Sequence, residues 1–294
     1  MPELPDVTVY VERLAALTVG TPLKRLEIRN PFVLRSVDPS PAELAGLRVT
    51  GVHRLGKRIV VALDGDLFVV IHLMIAGRLR WRPGSKPVAG KLALAHFHFP
   101  AGVLTLTEAG TTRRASIHLV RGTAALATFD RGGLEPLAVT LDAFAARLRQ
   151  ENHTVKRALT DPRLFSGIGN AYSDEILHRG RLSPLRMTGA MIDAEVAELY
   201  QAVRDVLTEW TTRLRAEVGP GFPETVTAFR KEMAVHGRFG EPCPVCGAPV
   251  QRIRYASNET DYCARCQTGG RRLADRAMSR LLKEDWPRSM DEVD

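Results

Sequence analysis

Apolar residues recur with two different spacings along the chain. Residues 6–18 follow the spacing of an amphipathic helix, and Asp6 is a candidate N-cap for it. From about residue 20 to residue 125, short apolar runs replace this pattern, and Asp64-Gly65 between two of them is typical of a hairpin turn. Several such strands in series predict a sandwich or barrel of antiparallel sheets.

The helical spacing returns at about residue 139. Residues 141–148 predict one helix, and an apolar stripe from Val196 to Leu214 predicts a longer helix that ends at Gly219-Pro220. Two glycines and a proline interrupt the periodicity within residues 130–139. We therefore expect a boundary there, between a β-rich domain and a helical domain.

Composition and charge narrow the class of protein. The chain has 294 residues, 45% of them hydrophobic, which is typical of a folded soluble protein with two domains. No run of about 18 apolar residues occurs, so no transmembrane helix is expected. The N-terminus MPELPDV lacks the basic and apolar regions of a secretion signal, which predicts a cytoplasmic location. The net charge of +8 favours a polyanionic partner only weakly.

All four cysteines lie within one 24-residue window and follow the pattern C-x2-C-x16-C-x2-C. Paired cysteines at this spacing are typical of a closed tetrahedral zinc site, and four thiolates leave no open position for catalysis. A redox dithiol does not explain the second pair, and two disulfides are not expected in the cytoplasm. The sequence therefore predicts one structural Zn²⁺, held by Cys243, Cys246, Cys263 and Cys266.

The residues around the cysteines predict a small β-hairpin. Residues 250–255 alternate as a strand, 256–259 resemble a turn, and 260–262 return to the second cysteine pair. Such a module is too small to bury a core and depends on its metal to fold. Its basic residues could contact a phosphate backbone or only face solvent, and both readings stay open for Arg252, Arg254, Arg265, Arg271 and Arg272.

One segment of the helical part contains a glycine-rich turn. Gly167 and Gly169 flank Ile168, and a helix is predicted to begin near Ala171. Free backbone N–H groups at such a helix start can bind a phosphate. Asn170 could add a side-chain donor to that site or could cap the helix, and the segment alone favours the cap.

Several motifs in order resemble the bacterial formamidopyrimidine-DNA glycosylase and endonuclease VIII family of base-excision repair enzymes. They cover nearly the whole chain and comprise MPELP at residues 1–5, Lys57 in RLGKRIV, HLMIAGRL at 72–79, GIGNAYSDE at 167–175, HGRFGEPCPVC at 236–246 and YCARCQ at 262–267.

The resemblance implies an α+β multidomain fold. It comprises an N-terminal antiparallel β-sandwich with a terminal helix, a helix–two-turn–helix domain and a C-terminal zinc β-hairpin. The expected bounds are 1–130, 131–235 and 236–268, followed by an extension at 269–294 that is predicted to be helical until Pro287. A packed helix is favoured over a partner-binding peptide for this extension.

The resemblance also implies a mechanism. Removal of Met1 would expose the secondary amine of Pro2, which attacks C1′ of a flipped-out damaged nucleotide. Glu3 would shuttle protons beside it, and Lys57 would contact DNA phosphate and support catalysis. Gly169 and Asn170 would bind a phosphate in the two-turn segment, so the resemblance reverses the preference for a cap. The expected partner is damaged DNA, single- or double-stranded, bound by a monomer.

This chain departs from the family where the zinc hairpin contacts the lesion. The family has an arginine five residues before the third cysteine, and Asn258 stands there, followed by Glu259. A neutral residue beside an acid should weaken phosphate binding locally. Arg252, Arg254 or Arg271 could compensate.

The residues that fill the gap left by the flipped base also differ. Ile75 aligns with the family's methionine, and Met74 precedes it. The second gap-filling loop is residues 111–116, which include Arg113, Arg114 and, where the family has an aromatic residue, Ala115. Loss of that aromatic should weaken stacking on the opposite base, by about 1–3 kcal/mol. We expect altered discrimination between opposite bases or greater tolerance of single-stranded DNA.

The leading hypothesis is a DNA glycosylase that also cleaves the strand at the abasic site by elimination, with an undefined damaged base as substrate. Two alternatives are a monofunctional glycosylase for uracil or another non-standard base, and a catalytically silent damage binder on the same scaffold. The expected location is the bacterial cytoplasm, at the nucleoid.

Overall fold

The computed structural model describes residues 1–294 except 111, 225, 227–229, 256–257, 275–288 and 290–294, and describes only the backbone of 255 and 258. It divides into two compact units. The first comprises Met1–Arg131 and Trp210–Thr227, and the second comprises Gly132–Glu209 and Ala228–Asp294. Within the described part of the chain, no helix is long and apolar enough to cross a membrane.

The first unit is an antiparallel β-sandwich, as predicted, and not a barrel. One sheet has the strand order β1-β6-β7-β5 and the other has the order β2-β3-β4-β8. The strands are β1 Arg25–Ile28, β2 Val49–Leu55, β3 Arg58–Leu63, β4 Leu67–His72, β5 Gly77–Pro83, β6 Ala93–His98, β7 Gly102–Glu108 and β8 Ser116–Arg121. Helix α1 (Leu4–Thr18) precedes them and the short helix α2 (Thr123–Ala127) follows them.

One hydrophobic core fills the space between the two sheets. Ile59 and Val61 of β3 point into it from one sheet, and Phe97 and Leu104 point into it from the other. The Asp64-Gly65 hairpin is confirmed between β3 and β4. Gly65 has φ 76°, a conformation that L-residues adopt rarely and that glycine adopts without steric cost.

Helix α1 begins two residues earlier than predicted, which changes the role of its first acidic residue. Glu3 is the N-cap, and the Glu3 N–H donates to Asp6 Oδ2 at 3.0 Å. The prediction that Asp6 is the N-cap is therefore wrong: Asp6 is the third helical residue and satisfies an amide at the helix start. Farther along the helix, Arg215 Nη2 lies 2.6 Å from Glu12 Oε1 and anchors α1 within this unit.

The second unit contains the predicted helices. Helices α3 (Leu141–Leu148), α4 (Val155–Thr160) and α5 (Asn170–Arg179) precede the long helix α6 (Asp193–Val218). Helix α6 ends immediately before Gly219, as the sequence predicts, although its last residues from Trp210 onward belong to the first unit. Phe144 of α3 is fully buried, and its ring centroid lies 4.6 Å from that of Phe165 in a tilted arrangement, so the apolar stripes form core.

The C-terminal hairpin belongs to the second unit. Strand β9 (Gln251–Tyr255) pairs antiparallel with β10 (Asn258–Tyr262), and helix α7 (Ala264–Thr268) follows. Residues 258 and 259 belong to β10, so the predicted turn at 256–259 is shorter than expected. The first residues of the C-terminal extension, 269–274, are not helical, and the rest of the predicted helix, with Pro287 at its end, lies outside the described residues.

Candidate active site and zinc centre

The N-terminus lies in a buried corner of the first unit. Pro2 and Glu3 are buried at the start of α1, and the carboxylate residue Glu3 is only 2% exposed. Lys57 occupies the tight turn between β2 and β3, next to Gly56 with φ 62°. Electrostatic interactions join Lys57 to Glu3 and to the terminal amine. The structure therefore brings together residues that are more than fifty positions apart in the sequence.

The charges in this corner favour a neutral amine. Burial lowers the pKa of the terminal amine on Met1, and the positive charges of Arg78 and Lys57 lower it further, against the opposing effect of Glu3 and Asp6. Burial also lowers the pKa of Lys57, and the negative charge of Glu3 partly offsets that. An amine with a lowered pKa is unprotonated more often near neutral pH and is then nucleophilic.

Arg78 is a member of this corner that the sequence analysis did not single out. Its guanidinium donates to the carbonyls of Ile75 at 3.1 Å and Gly77 at 2.7 Å. It therefore holds the turn between β4 and β5 while its charge acts on the terminal amine. Arg78 belongs to the motif HLMIAGRL, but the sequence does not predict where its side chain points, because that depends on how the turn folds.

The same turn exposes the residue predicted to fill the gap in DNA. Ile75 is 63% exposed, unusual for an isoleucine, and follows Met74 with φ 53°. Gly77 closes the turn, because a Cβ there would clash with the Leu73 carbonyl. A tightly constrained turn thus presents an apolar side chain to solvent.

The second predicted gap-filling loop is held by a buried carboxylate. The Glu108 side chain, 1% exposed, accepts hydrogen bonds from the backbone N–H groups of Arg114 at 3.0 Å and Ala115 at 3.1 Å. Ala115 is buried in the sandwich core, whereas Arg113 and Arg114 are exposed. The position where the family has an aromatic wedge therefore points inward here, and two cationic side chains remain at the surface.

The glycine-rich turn leads directly into α5. Gly167 has φ 82° and Gly169 is the N-cap, so Asn170 is the first helical residue. The alternative in which Asn170 caps the helix is therefore wrong. Its side chain is half-exposed at a helix start, where backbone N–H groups are directed out of the helix.

The four cysteines form one cluster, which confirms the predicted zinc site. All four Sγ atoms lie within 4.8 Å of one another, with Cys243–Cys266 at 3.9 Å and Cys246–Cys263 at 3.4 Å. A tetrahedral site with Zn–S bonds of about 2.3 Å requires sulfur atoms separated by about 3.8 Å. The cluster therefore fits one Zn²⁺ with four thiolate ligands.

Helix α5 also contacts this cluster. His178 Nε2 lies 3.3 Å from Cys243 Sγ in a buried position. Burial and the nearby Arg179 and Arg181 lower the pKa of His178 to about 4, so the imidazole is neutral and can donate Nε2–H to the sulfur. Such a donor orients a zinc ligand and stabilises its negative charge. His178 was not predictable from the sequence, because nothing in the local pattern connects it to a cysteine 65 residues away.

The hairpin arginines are paired with acids of the opposite strand. Arg252 is largely buried, with Nε 2.8 Å from Asp261 Oδ1 and Nη1 3.1 Å from Glu259 Oε2. Arg254 lies directly opposite Glu259 in the strand pairing and is much more exposed, with its Nε 3.2 Å from Glu259 Oε1. Asn258 belongs to β10, and its side chain lies outside the described part of the structure.

Three family models match successive parts of the chain. The Formamidopyrimidine-DNA glycosylase N-terminal domain matches residues 1–115, and the Formamidopyrimidine-DNA glycosylase H2TH domain matches 133–214. The zinc finger found in FPG and IleRS matches 240–269.

Known proteins resemble the chain over nearly its whole length. The formamidopyrimidine-DNA glycosylase of Thermus thermophilus is 34% identical over 289 residues, which cover 92% of this chain and 100% of that protein. The Lactococcus lactis Fpg in complex with abasic-site DNA has a TM-score of 0.79 at 25% identity, over 90% of this chain and 99% of its own. MutM in complex with carbocyclic 8-oxo-G containing DNA has a TM-score of 0.80 at 25% identity, over 91% and 100%.

The sandwich, the helical domain and the four-thiol hairpin together define a DNA glycosylase of base-excision repair. The chain belongs to the formamidopyrimidine-DNA glycosylase family. It is therefore a DNA glycosylase with AP lyase activity. A monofunctional glycosylase and a catalytically silent DNA binder are not favoured by these relatives.

The zinc site can be tested by metal analysis and acid titration. Purified protein should contain about one zinc per chain, and Cys263→Ser should lose it. Burial raises the pKa of Cys263 to about 11, so metal binding must displace a proton, and zinc should dissociate as the pH falls. Val245→Ser, an exposed position inside the first cysteine pair, is the matched control and should retain zinc. Protein with four reactive thiols and no zinc would contradict the assignment.

Proposed function

We propose that the Pro2 amine, exposed by removal of Met1, is the nucleophile of the glycosylase and lyase reactions. The observation that carries this proposal is the buried corner, where electrostatic interactions join Glu3 and Lys57 to the terminal amine of Met1, one residue before Pro2, and burial lowers the pKa of that amine. A secondary amine in its unprotonated form can attack an electrophilic carbon without a preceding proton transfer.

The first step exchanges one bond for another at C1′ of the damaged nucleotide. The nitrogen of Pro2 forms a bond to C1′, the glycosidic bond breaks, and the base leaves with the bonding electron pair and takes up the proton that the nitrogen loses. Opening of the sugar ring then breaks the C1′–O4′ bond, and Glu3 donates a proton to O4′. The product is an iminium ion between Pro2 and the sugar.

The second step uses this iminium as an electron sink. A base removes a proton from C2′, and the 3′ phosphate leaves, which cleaves the strand. Glu3, now a carboxylate, follows Pro2 directly and is the acceptor of that proton in this proposal. Water finally releases the sugar and regenerates the amine.

Lys57 serves this reaction as a cation at the edge of the corner. Its position in a tight turn fixes the backbone from which the side chain extends. Its charge lowers the pKa of the terminal amine and can neutralise a DNA phosphate beside the lesion. The same residue thus supports nucleophile activation and DNA binding.

The gap left by the flipped nucleotide is filled, in this proposal, by Ile75, with Arg113 and Arg114 beside it. Ile75 is the exposed apolar side chain of the constrained turn, and both arginines are exposed on the second loop. An apolar wedge stabilises an unstacked base step, and cations contact the phosphates around it. Ala115 is buried and contributes no stacking surface.

The second unit binds the DNA backbone at two places in this proposal. Gly169 and Asn170 bind one phosphate at the start of α5, where the helix dipole favours an anion. At the hairpin, Arg254 takes the place of the arginine that Asn258 replaces, because Arg252 is largely buried against Asp261 whereas Arg254 is exposed. Glu259 weakens this second contact by pairing with Arg254.

The substrate is damaged DNA, and the location follows from it: the bacterial nucleoid within the cytoplasm. Relatives with solved structures bind DNA that contains 8-oxo-guanine analogues or abasic sites. Because the wedge loop differs here, we propose that an oxidised or ring-opened base is excised with less dependence on the opposite strand.

Borohydride trapping tests the nucleophile. Incubation with abasic-site DNA and borohydride should give a covalent complex, and Pro2→Gly should reduce trapping and strand cleavage at least about a hundredfold, since nucleophile geometry and basicity both change. Pro41→Gly, the same substitution outside the corner, should trap like the parent. Equal trapping by Pro2→Gly and parent would refute the assignment.

The pH dependence of trapping tests the charges around the amine. The rate should rise with pH until the amine is deprotonated, and removing the charge of Arg78 should raise the amine pKa and move this rise to higher pH, by up to about one unit. His72 does not obscure the result, because burial and the charges of Arg58 and Lys57 lower its pKa to about 4.

The comparison is between Arg78→Met and Arg25→Met, a surface arginine of β1 paired with Glu27. Arg25→Met should leave the profile of trapping rate against pH where it is. A profile of Arg78→Met that shifts to lower pH, or not at all, would contradict the role assigned to its charge.

Opposite-base discrimination tests the missing wedge. The rate constants of single-turnover excision are compared for duplexes with A, C, G or T opposite the lesion. They should differ by about tenfold or less, because a lost stacking contact removes about 1–3 kcal/mol of opposite-strand recognition. Ile75→Ala should slow excision similarly with all four bases. A difference above about a hundredfold between the excision rates with different opposite bases would contradict the proposal that burial of Ala115 removes opposite-base recognition.

A further inference from the structure

A chain of largely buried charged side chains lies within the second unit and includes none of the zinc ligands. It comprises Lys156 on α4, Asp174 on α5, His236 before the zinc hairpin, Asp261 on β10 and Arg252 on β9. The side chains of Asp174, Asp261 and His236 are buried, and those of Lys156 and Arg252 are only 13% and 17% exposed. Charged side chains are rarely this buried unless each is paired with an opposite charge. The five residues therefore have to be considered together, because each one is the partner of another.

One end of this chain contacts the proposed phosphate-binding turn. Lys156 Nζ donates to the Asn170 carbonyl at 3.2 Å and to Ser173 Oγ at 3.1 Å, and it pairs with Asp174. These three acceptors match the three donors of a lysine ammonium. Lys156 therefore ties the backbone of Asn170 to the side chain of Asp174.

The other end reaches the exposed arginine of the hairpin. His236 Nδ1 lies 2.8 Å from Asp174 Oδ2 and 4.0 Å from Asp261 Oδ2. Asp261 pairs with Arg252, and the paired acid Glu259 contacts both Arg252 and Arg254. Polar contacts thus extend from Asn170 to Arg254, with one longer step between His236 and Asp261, where the neighbouring Gly237 N–H donates to Asp261 Oδ2 at 2.7 Å.

The central histidine acts as a hydrogen-bond donor. Its Nδ1 faces only carboxylate oxygens among these partners, and a carboxylate can only accept, so Nδ1 carries the proton. The Asp–His–Asp arrangement resembles a metal site, but Lys156 pairs with one aspartate and Arg252 with the other. A divalent cation placed there would lie between two positive charges, which favours the hydrogen-bonded assignment.

We propose that Asp174, His236 and Asp261 form a positioning relay that couples the two DNA-backbone contacts of the second unit, at Asn170 and at Arg254. The inference rests on the proposed function, because both ends are proposed phosphate contacts. Replacing the His236 imidazole takes one hydrogen-bond donor from Asp174, which keeps only its pair with Lys156, and removes the side chain between Asp174 and Asp261, so that the hairpin shifts relative to α5. The two contacts then no longer reach one DNA backbone as a unit.

The relay is separable from the other contacts that hold the hairpin. Glu175 accepts backbone hydrogen bonds from Ala234, Val235 and His236, and these do not use the His236 side chain. The zinc ligands form a separate cluster. Replacement of the imidazole should therefore alter positioning while the hairpin keeps its zinc.

A double-mutant cycle on DNA binding tests the coupling. The Kd for a duplex with an uncleavable abasic-site analogue is measured for Asn170→Ala, Arg254→Ala and the double variant, in the full-length zinc protein. Because each contact depends on the other, the two substitutions should not act independently. The increase in Kd of the double variant should be about tenfold smaller than the product of the increases in the two single variants. When the same cycle is measured in a His236→Leu background, the increase in Kd of the double variant should equal the product of the two single increases.

Two further variants separate positioning from folding. His236→Asn places an amide donor near the position of Nδ1 and should restore the coupling. Arg179→Gln breaks an exposed ion pair with Glu209 outside the relay and should leave Kd and coupling unchanged. If His236→Leu loses zinc or unfolds, Asp261→Asn replaces it in the cycle.

The outcomes are distinct. Three results would each overturn the relay. The fold-losses in affinity of the two single variants could simply multiply in the native background, the coupling could persist in His236→Leu, or the single variants could bind DNA like the parent. A second zinc per chain that disappears in Asp261→Asn overturns it in favour of a metal site. Failure of the proposed nucleophile would appear instead as unchanged trapping by Pro2→Gly, which does not depend on the relay.

Discussion

The burial of the chain's N-terminus beside Glu3 and Lys57 is the constraint on which the chemistry depends. A terminal amine is ordinarily solvated and protonated, and it becomes a nucleophile at neutral pH only where burial and neighbouring cations disfavour its charge. The sandwich supplies both conditions, because α1 begins against its core and the β2–β3 turn directs a lysine toward the same point. Arg78 adds a second cation and holds the turn that exposes Ile75.

Helix α5 has a comparable role in the second unit. Its first residue, Asn170, faces the proposed phosphate, Asp174 in its middle pairs with His236, and His178 in its last turn contacts a zinc ligand. These residues are spaced by four, so they lie along one face of the helix. The zinc cluster and the relay attach the hairpin to this face, and a hairpin without a large core depends on such attachments for its orientation.

The surface that would read the lesion differs from the family pattern in a consistent direction. Ala115 is buried by its bonds to Glu108, and Glu259 neutralises part of the charge at the hairpin. In the proposed function both changes reduce contact with DNA around the lesion, and neither involves a residue of the buried corner. The catalytic machinery and the recognition surface are thus separable in this fold, since they lie on different loops and strands.

The secondary-structure elements and the metal site that depend on local spacing could be predicted from the amino-acid sequence alone. The zinc quartet, the hairpin at Asp64-Gly65, the helix at 141–148 and the long helix that ends before Gly219 were readable because metal geometry, turn conformation and helical periodicity act over a few residues. Pro2 as candidate nucleophile rests instead on the resemblance of several motifs in order to a known family. Only the tertiary structure decided that Asp6 follows the cap, that Ala115 points inward and that Arg252 is committed to Asp261. Pairings such as His236 with Asp174 join residues 62 positions apart, and packing, which no local pattern encodes, selects them.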